Sequence, residues 1–171
     1  LPPTGQVADG EVEVPVVENL IRLSGTPEEP VQYVTLQGLG LEGAEQDAVC
    51  LEGATHCEII GNTITNIGGV GVNVGFVRNA SKGIGNPWRQ RGRTSQPFHA
   101  GDRALVTSYP CYECRIAGND IHSVGGDGIL VRGDGNVVDN NHIYSNGLFD
   151  KVCAGITLLG NDNIASHSEI H

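Results

Sequence analysis

Short apolar runs recur along the chain, and most of them end in glycine. Residues 48–53 read AVCLEG and residues 128–133 read GILVRG. Every second residue in these runs is apolar, whereas the residue between varies, and this alternation predicts a β-strand with one buried face. Aligned, the runs give two apolar columns: Ile21, Val49, Val72, Ile129 and Ile156, and two residues later Leu23, Leu51, Val74, Val131 and Leu158.

A second repeat is nine residues long and begins at Cys57, Cys114, Asn136 and Asn163. Its eighth position is isoleucine in every copy, and its sixth position is asparagine in three copies and serine in the last. An asparagine repeated at one turn can pair its amide with the groups above and below it. The sequence therefore predicts a side-chain ladder and an isoleucine column: Asn62, Asn119, Asn141 and Ser168, with Ile64, Ile121, Ile143 and Ile170.

The spacing of the repeats indicates how the strands are arranged. Cys114 and Asn136 are 22 residues apart, and Asn136 and Asn163 are 27 apart. Each period holds short strands between Gly and Asn turns, and no helical periodicity is visible. We predict an all-β fold, a right-handed parallel β-helix: a solenoid of about five coils with adjacent coils about 4.8 Å apart.

The domain organisation follows from the same repeats. We predict one β-helix domain over residues 1–171, with a long loop insertion at 76–110, where no repeat is found. The repeats stop at His171 in the middle of a coil, and an open coil exposes apolar surface and unpaired strand edges. We therefore expect the chain to be part of a longer β-helix, or to pair end to end as a homo-oligomer.

The repeat phrases carry a family resemblance. GNTITNIGGVGVNVG and HSVGGDGILVRG resemble the repeats of right-handed parallel β-helix proteins of the pectate lyase superfamily, including bacterial β-helix glycoside hydrolases. The resemblance covers roughly residues 18–171 outside the insertion. It implies a carbohydrate-active protein with a polysaccharide or oligosaccharide partner, and we expect a secreted, periplasmic or cell-surface location. The phrases belong to the scaffold, so they do not specify an activity.

The amino-acid composition argues against two classes of binding partner, nucleic acids and membranes. The formal net charge is −10, which argues against nucleic-acid binding, because that depends mainly on Lys and Arg. The same charge disfavours an anionic membrane surface, and no apolar run approaches the roughly 20 residues of a membrane span. We expect neither nucleic acid nor membrane as a partner.

Five cysteines are present, and an odd number leaves at least one unpaired. Cys111 and Cys114 form a lone CxxC motif without a second pair at zinc-ligand spacing. For Cys50, Cys57 and Cys153 we predict packing as small buried side chains.

One candidate site lies on either side of the isoleucine column, where side chains face outward. Asp120 and Glu169 would be two coils apart, about 9.6 Å by backbone spacing, and inverting glycosidases hold their carboxyls roughly 6.5–9.5 Å apart. A histidine between them can act as a proton carrier or a ligand. The alternative is a solvated polar face. The candidate set is Asp120, His142 and Glu169 as catalytic groups, with His122 and Tyr144 as substrate-binding groups and His171 beside them.

A further candidate site consists of aspartates that precede the glycine-ended strand. Asp47 and Asp127 share this column, and their surroundings, QDAVCLEG and GGDGILVRG, are similar to the phrases that carry catalytic acids in polygalacturonases. In that family the acids stand on adjacent coils, whereas here Val70 comes between. We take Asp127 as a candidate catalytic residue, and the alternative is that an aspartate before glycine satisfies a turn.

The insertion is the third candidate site. It is rich in arginine and contains the single tryptophan of the chain. Arginine can bind carboxylates through two hydrogen bonds, and tryptophan offers an apolar ring face, so an anionic polysaccharide would suit the segment. The alternative is that these arginines pair with acidic coils. The predicted substrate-binding residues are Trp88, Arg89, Arg91 and Arg93.

Taken together, these features favour a glycoside hydrolase or polysaccharide lyase that uses paired surface carboxylates. The alternatives are a non-catalytic glycan-binding or structural β-helix module, and an inactive fragment of a larger enzyme. We expect no cofactor and assign no metal ligand. A calcium-assisted lyase would need a dense cluster of acidic oxygens, which the sequence does not offer.

Overall fold

In a computed structural model, residues 14–75, 109–149 and 153–171 are described, and they form eighteen strands without a helix. No membrane-crossing helix is therefore found in these ranges. The strands follow one another in five coils. The first coil holds β1 (Asn19–Ser24), β2 (Val31–Gln32), β3 (Thr35–Gln37) and β4 (Gly40–Ala44). The second holds β5 (Asp47–Glu52), β6 (Ala54–Thr55), β7 (Glu58–Ile60) and β8 (Thr63–Ile67).

The remaining coils repeat this order. The third holds β9 (Val72–Val74), β10 (Cys111–Tyr112), β11 (Arg115–Ala117) and β12 (Asp120–Val124). The fourth holds β13 (Ile129–Asp134), β14 (Val137–Asp139) and β15 (His142–Tyr144). The fifth holds β16 (Ile156–Leu159), β17 (Ile164–Ser166) and β18 (Glu169–Ile170).

Every strand pairs in parallel with its counterpart one coil away, and the result is a right-handed parallel β-helix, as predicted. Strands β1, β5, β9, β13 and β16 form the first sheet, which β10, β6 and β2 extend through β13. Strands β3, β7, β11, β14 and β17 form the second sheet. Strands β4, β8, β12, β15 and β18 form the third sheet, which carries the candidate site.

The predicted apolar columns form the core. Val49 lies opposite Val72, and Val72 lies opposite Ile129, so the register of the first sheet confirms the alignment of the glycine-ended runs. In the third sheet Ile64, Ile121 and Ile143 stack in register and are fully buried. One coil alone cannot bury these side chains, so the apolar contact between coils holds the solenoid together.

The prediction of one buried face is wrong for the first sheet in the middle coils. The residues between the core positions are buried as well: Cys50 is 2% exposed, Asn73 0% and Leu130 3%. Asn73 is held there by a buried carboxylate, because its Nδ2 donates to Asp47 Oδ2 at 2.7 Å. In the middle coils the outward face of this sheet is therefore closed to solvent, and the third sheet offers the more accessible polar face.

The predicted asparagine ladder is present between the second and third sheets. Asn62 Nδ2 donates to Asn119 Oδ1 at 3.0 Å, and Asn119 Nδ2 donates to Asn141 Oδ1 at 2.9 Å. Each Oδ1 also accepts the backbone N–H of the coil before it. Ser168 ends the described ladder by accepting the backbone N–H of Asn141 through its hydroxyl. These bonds satisfy buried polar groups that would otherwise be costly.

A second ladder occupies the first position of the nine-residue repeat. Asn136 Nδ2 donates to Asn163 Oδ1 at 3.0 Å, and Asn136 Oδ1 accepts the backbone N–H of Cys114 at 2.9 Å. At the two preceding coils Cys114 and Cys57 take the position of the asparagine. Here the Cys111 thiol donates a hydrogen bond to the Cys114 sulfur, which raises the pKa of Cys111 and lowers the pKa of Cys114. Burial raises the pKa of Cys57.

None of the five cysteines, all of which lie in the described ranges, forms a disulfide. Cys50 and Cys57 are buried as predicted. The prediction is wrong for Cys153, which is partly exposed just before the fifth coil.

Candidate functional site

The outward face of the third sheet gathers the polar residues of the nine-residue repeat. In β12 and β15 the isoleucines Ile121 and Ile143 are buried in the core, so the residues before and after them point outward. Asp120 lies opposite His142, and His142 lies opposite Glu169, while His122 lies opposite Tyr144 in the neighbouring column. The patch predicted from the sequence is thus one surface of the folded chain.

The first column places an imidazole between two carboxylates. His142 Nδ1 lies 3.5 Å from Asp120 Oδ1, and the two side chains are each somewhat less than half exposed. Asp120 Oδ1 is shielded from solvent and accepts no hydrogen bond from the described residues. A shielded carboxylate oxygen facing a ring nitrogen favours a proton on that nitrogen, because the contact is then attractive.

The side chains of the second column form a row of packed rings with the histidine of the first. Tyr144 stacks on His122 with ring centroids 4.7 Å apart, and the ring of His142 lies tilted against Tyr144 at a centroid distance of 4.7 Å. The hydroxyl of Thr65, one coil earlier, lies 3.2 Å from His122 Nδ1. Neighbouring rings fix the orientation of each other, so this row is a preformed surface.

The fifth coil completes the group. His171 Nε2 lies 3.0 Å from His142 Nε2, and the ring of His171 is 5.2 Å from that of His142. Glu169, His142 and His171 each bring a potential ligand atom within 4.8 Å of those of the others. No metal ligand was expected from the sequence, and this grouping of two imidazoles and a carboxylate is what sequence reasoning missed.

The structure keeps the other predicted acid apart from this group. Asp127 lies two residues before the first-sheet strand β13 begins, and its Oδ1 accepts the backbone N–H of Ala154 at 2.7 Å. Asp47 makes the corresponding contact two coils earlier, where its Oδ1 accepts the backbone N–H of Val70 at 3.0 Å. These contacts support the turn interpretation of both aspartates. The insertion residues Trp88, Arg89, Arg91 and Arg93 lie outside the described residues.

Another imidazole–carboxylate pair stands on the second sheet and is useful for comparison. His167 Nδ1 lies 2.8 Å from Asp139 Oδ1, and the Ser166 hydroxyl donates to the same oxygen at 2.8 Å. The hydrogen bond from His167, followed by that from Ser166, lowers the pKa of Asp139 below its usual value. This pair has a histidine and an acid but no third ligand group among the described residues.

The family follows from a comparison with known proteins. Residues 28–171 match the family model described as a right handed beta helix region. The chain therefore belongs to the right-handed β-helix family, in agreement with the parallel coils described above. No curated protein and no solved structure gave a match.

Proposed function

We propose that the third-sheet face is the site of a carbohydrate-active protein, a glycoside hydrolase or polysaccharide lyase with a polysaccharide or oligosaccharide as its partner. The observation that carries this proposal is the column Asp120, His142, Glu169, in which an imidazole separates two carboxylates in register. Family membership alone supports the scaffold and not the activity.

The roles follow from the surroundings of each group. Asp120 is the more enclosed acid, with one oxygen shielded from solvent, whereas Glu169 is exposed. Two steps along the sheet separate their backbones by about 9.6 Å, close to the roughly 6.5–9.5 Å between carboxyls that leaves room for a water in inverting glycosidases. Asp120 would serve as the acid, Glu169 as the base, and His142 as the group that exchanges a proton between them.

A second candidate is a glycan-binding module without catalysis. The row formed by His122, Tyr144, His142 and His171 favours it, because aromatic rings bind apolar surfaces while their polar atoms form hydrogen bonds. Catalysis needs both carboxylates of the column, whereas binding through the ring row does not. Acid variants therefore separate the two candidates.

The test is a screen of neutral and uronic polysaccharides, with reducing ends and unsaturated-uronate absorbance as the two readouts. Asp120→Asn and Glu169→Gln should lower product release by about 10²-fold or more. Glu42→Gln is the matched control, because Glu42 lies on the same face two coils before His122. Activity retained in both acid variants would refute the catalytic column. Binding without product release would favour the module, and neither binding nor release would refute both candidates.

A further inference from the structure

We propose that His142, His171 and Glu169 form a binding site for a divalent transition metal of the zinc class, with Asp120 orienting His142 from behind. The contacts of these four side chains carry this inference, which does not depend on the proposed glycan activity. It assigns Glu169 as a metal ligand, whereas the proposed function uses it as a free base.

The donor set fits this metal class. Two histidine nitrogens and one carboxylate are the protein ligands of several catalytic zinc sites, which keep a further position open for water. Imidazole and carboxylate together suit zinc better than calcium, which prefers oxygen ligands alone. His142 and His171 supply the nitrogens, and Glu169 supplies the oxygen.

The distances between the donor atoms also fit a zinc site. Zn–N bonds of about 2.0–2.1 Å place two nitrogens of a tetrahedral site roughly 3.3 Å apart, and the two Nε2 atoms lie 3.0 Å apart. Two imidazole nitrogens this close must share a proton or bind a common ion, since two lone pairs would repel. A Glu169 carboxylate oxygen lies within 4.8 Å of a ring nitrogen of each histidine, and its exposed side chain can turn to complete the site.

The position of Asp120 supports the metal site independently of the three ligand groups. Its Oδ1 is shielded from solvent without a hydrogen-bond partner among the described residues, and it lies 3.5 Å from His142 Nδ1. Metal-bound histidines usually donate their second N–H to a carboxylate, which fixes the tautomer and the ring orientation. Asp120 stands where such a carboxylate is needed when His142 Nε2 faces an ion. It is thus a positioning residue of the proposed site.

The test uses the untagged 171-residue chain with reduced thiols, since a histidine tag would itself bind metal. Zinc is titrated by calorimetry, and cobalt is added in parallel for its visible absorption spectrum. We expect one ion per chain, with binding lost in His142→Ala and His171→Ala. Asp120→Asn should weaken binding by about 10–100-fold, as carboxylates behind a ligating histidine do.

His167→Ala is the matched control. His167 is on the fifth coil, as His171 is, but it pairs with Asp139 and lies outside the proposed site. The variant should bind zinc like the wild-type protein. Cys114→Ser separates the site from the buried thiols, which would give a thiolate charge-transfer band with cobalt. Absence of binding, binding unchanged in His142→Ala and Glu169→Gln, or binding lost in Cys114→Ser would each overturn the proposal. The titration contains no glycan, so its failure leaves the proposed function to its own test.

Discussion

His142 and His171 approach diagonally across one step of the β-helix, with their Nε2 atoms 3.0 Å apart. His142 lies opposite Glu169 in the sheet, and His171 belongs to the next column, so the contact crosses from one column to the other. This crossing joins the carboxylate column to the ring row, so the polar side chains of the third-sheet face form one contiguous group.

The ring row should contribute measurable stability. Tyr144→Ala removes three ring contacts, with His122, His142 and His171. Each is worth about 0.5–1.5 kcal/mol, so we expect a loss of about 1.5–4.5 kcal/mol in the free energy of urea unfolding. Tyr144→Phe keeps the stacked ring and should change this free energy by less than about 0.5 kcal/mol. A double-mutant cycle with His122→Ala should return a coupling of about 0.5–1.5 kcal/mol. A coupling near zero would mean that the rings stack without stabilising each other.

The asparagine ladder should be intolerant of change at its middle step. Asn119 accepts two hydrogen bonds from Asn62 and donates to Asn141 and to the carbonyl of Ile59. Asn119→Ala leaves buried groups unsatisfied, at about 1–3 kcal/mol each. Asn119→Asp should be at least as damaging, because it buries a carboxylate against two acceptors.

Urea unfolding measures this effect, with Asn161→Ala as the control. Asn161 also bonds across coils, to Asp134, but at an exposed position. Its loss should stay within about 0.5 kcal/mol. Equal losses for Asn119→Ala and Asn161→Ala would contradict the account of the buried ladder.

Thiol reactivity should separate one cysteine from the other four. Cys50, Cys57, Cys111 and Cys114 are buried, whereas Cys153 is partly exposed. Thiolates react only where the reagent can reach them, so Ellman's reagent should modify Cys153 rapidly and the other four only on unfolding. Cys153→Ser should abolish the rapid phase. A rapid phase that persists in this variant would show that another thiol is accessible.

The Asp139–His167 pair predicts a specific pH response. His167 holds the pKa of Asp139 below its usual value of 3.8, so His167→Ala should raise that pKa toward the usual value. Carboxyl-carbon NMR titration measures the shift directly. Because the folded pKa is lowered, the stabilisation from the pair is present above the unfolded pKa and is lost as the pH falls through the folded pKa. An Asp139 titration unchanged in His167→Ala would contradict this assignment.

Much of the architecture could be predicted from the sequence because a strand has a side-chain period of two and a coil has a nearly constant length. Once Ile121 and Ile143 are aligned, Asp120 must lie opposite His142, and the remaining columns follow. The same reasoning predicts the ladder through Asn119, since an asparagine repeated at one turn stacks on its counterparts in the coils above and below.

Other features depend on information that the repeat does not contain. The register places His142 opposite Glu169, whereas the approach of His171 Nε2 to His142 depends on side-chain rotamers and ring packing. A metal site was therefore not evident from spacing. Likewise, the burial of Cys50 and Asn73 depends on what covers the outward face of the first sheet, and strand alternation describes only the inward face.

The most direct test of the account, in which the third-sheet residues form one ligand site, is anomalous diffraction from crystals soaked in zinc. We expect an anomalous peak within bonding distance of His142 Nε2, His171 Nε2 and the Glu169 carboxylate. His142 Nδ1 should donate a hydrogen bond to Asp120. A soaked crystal with no zinc at this position, or with zinc only at the cysteines, would contradict it.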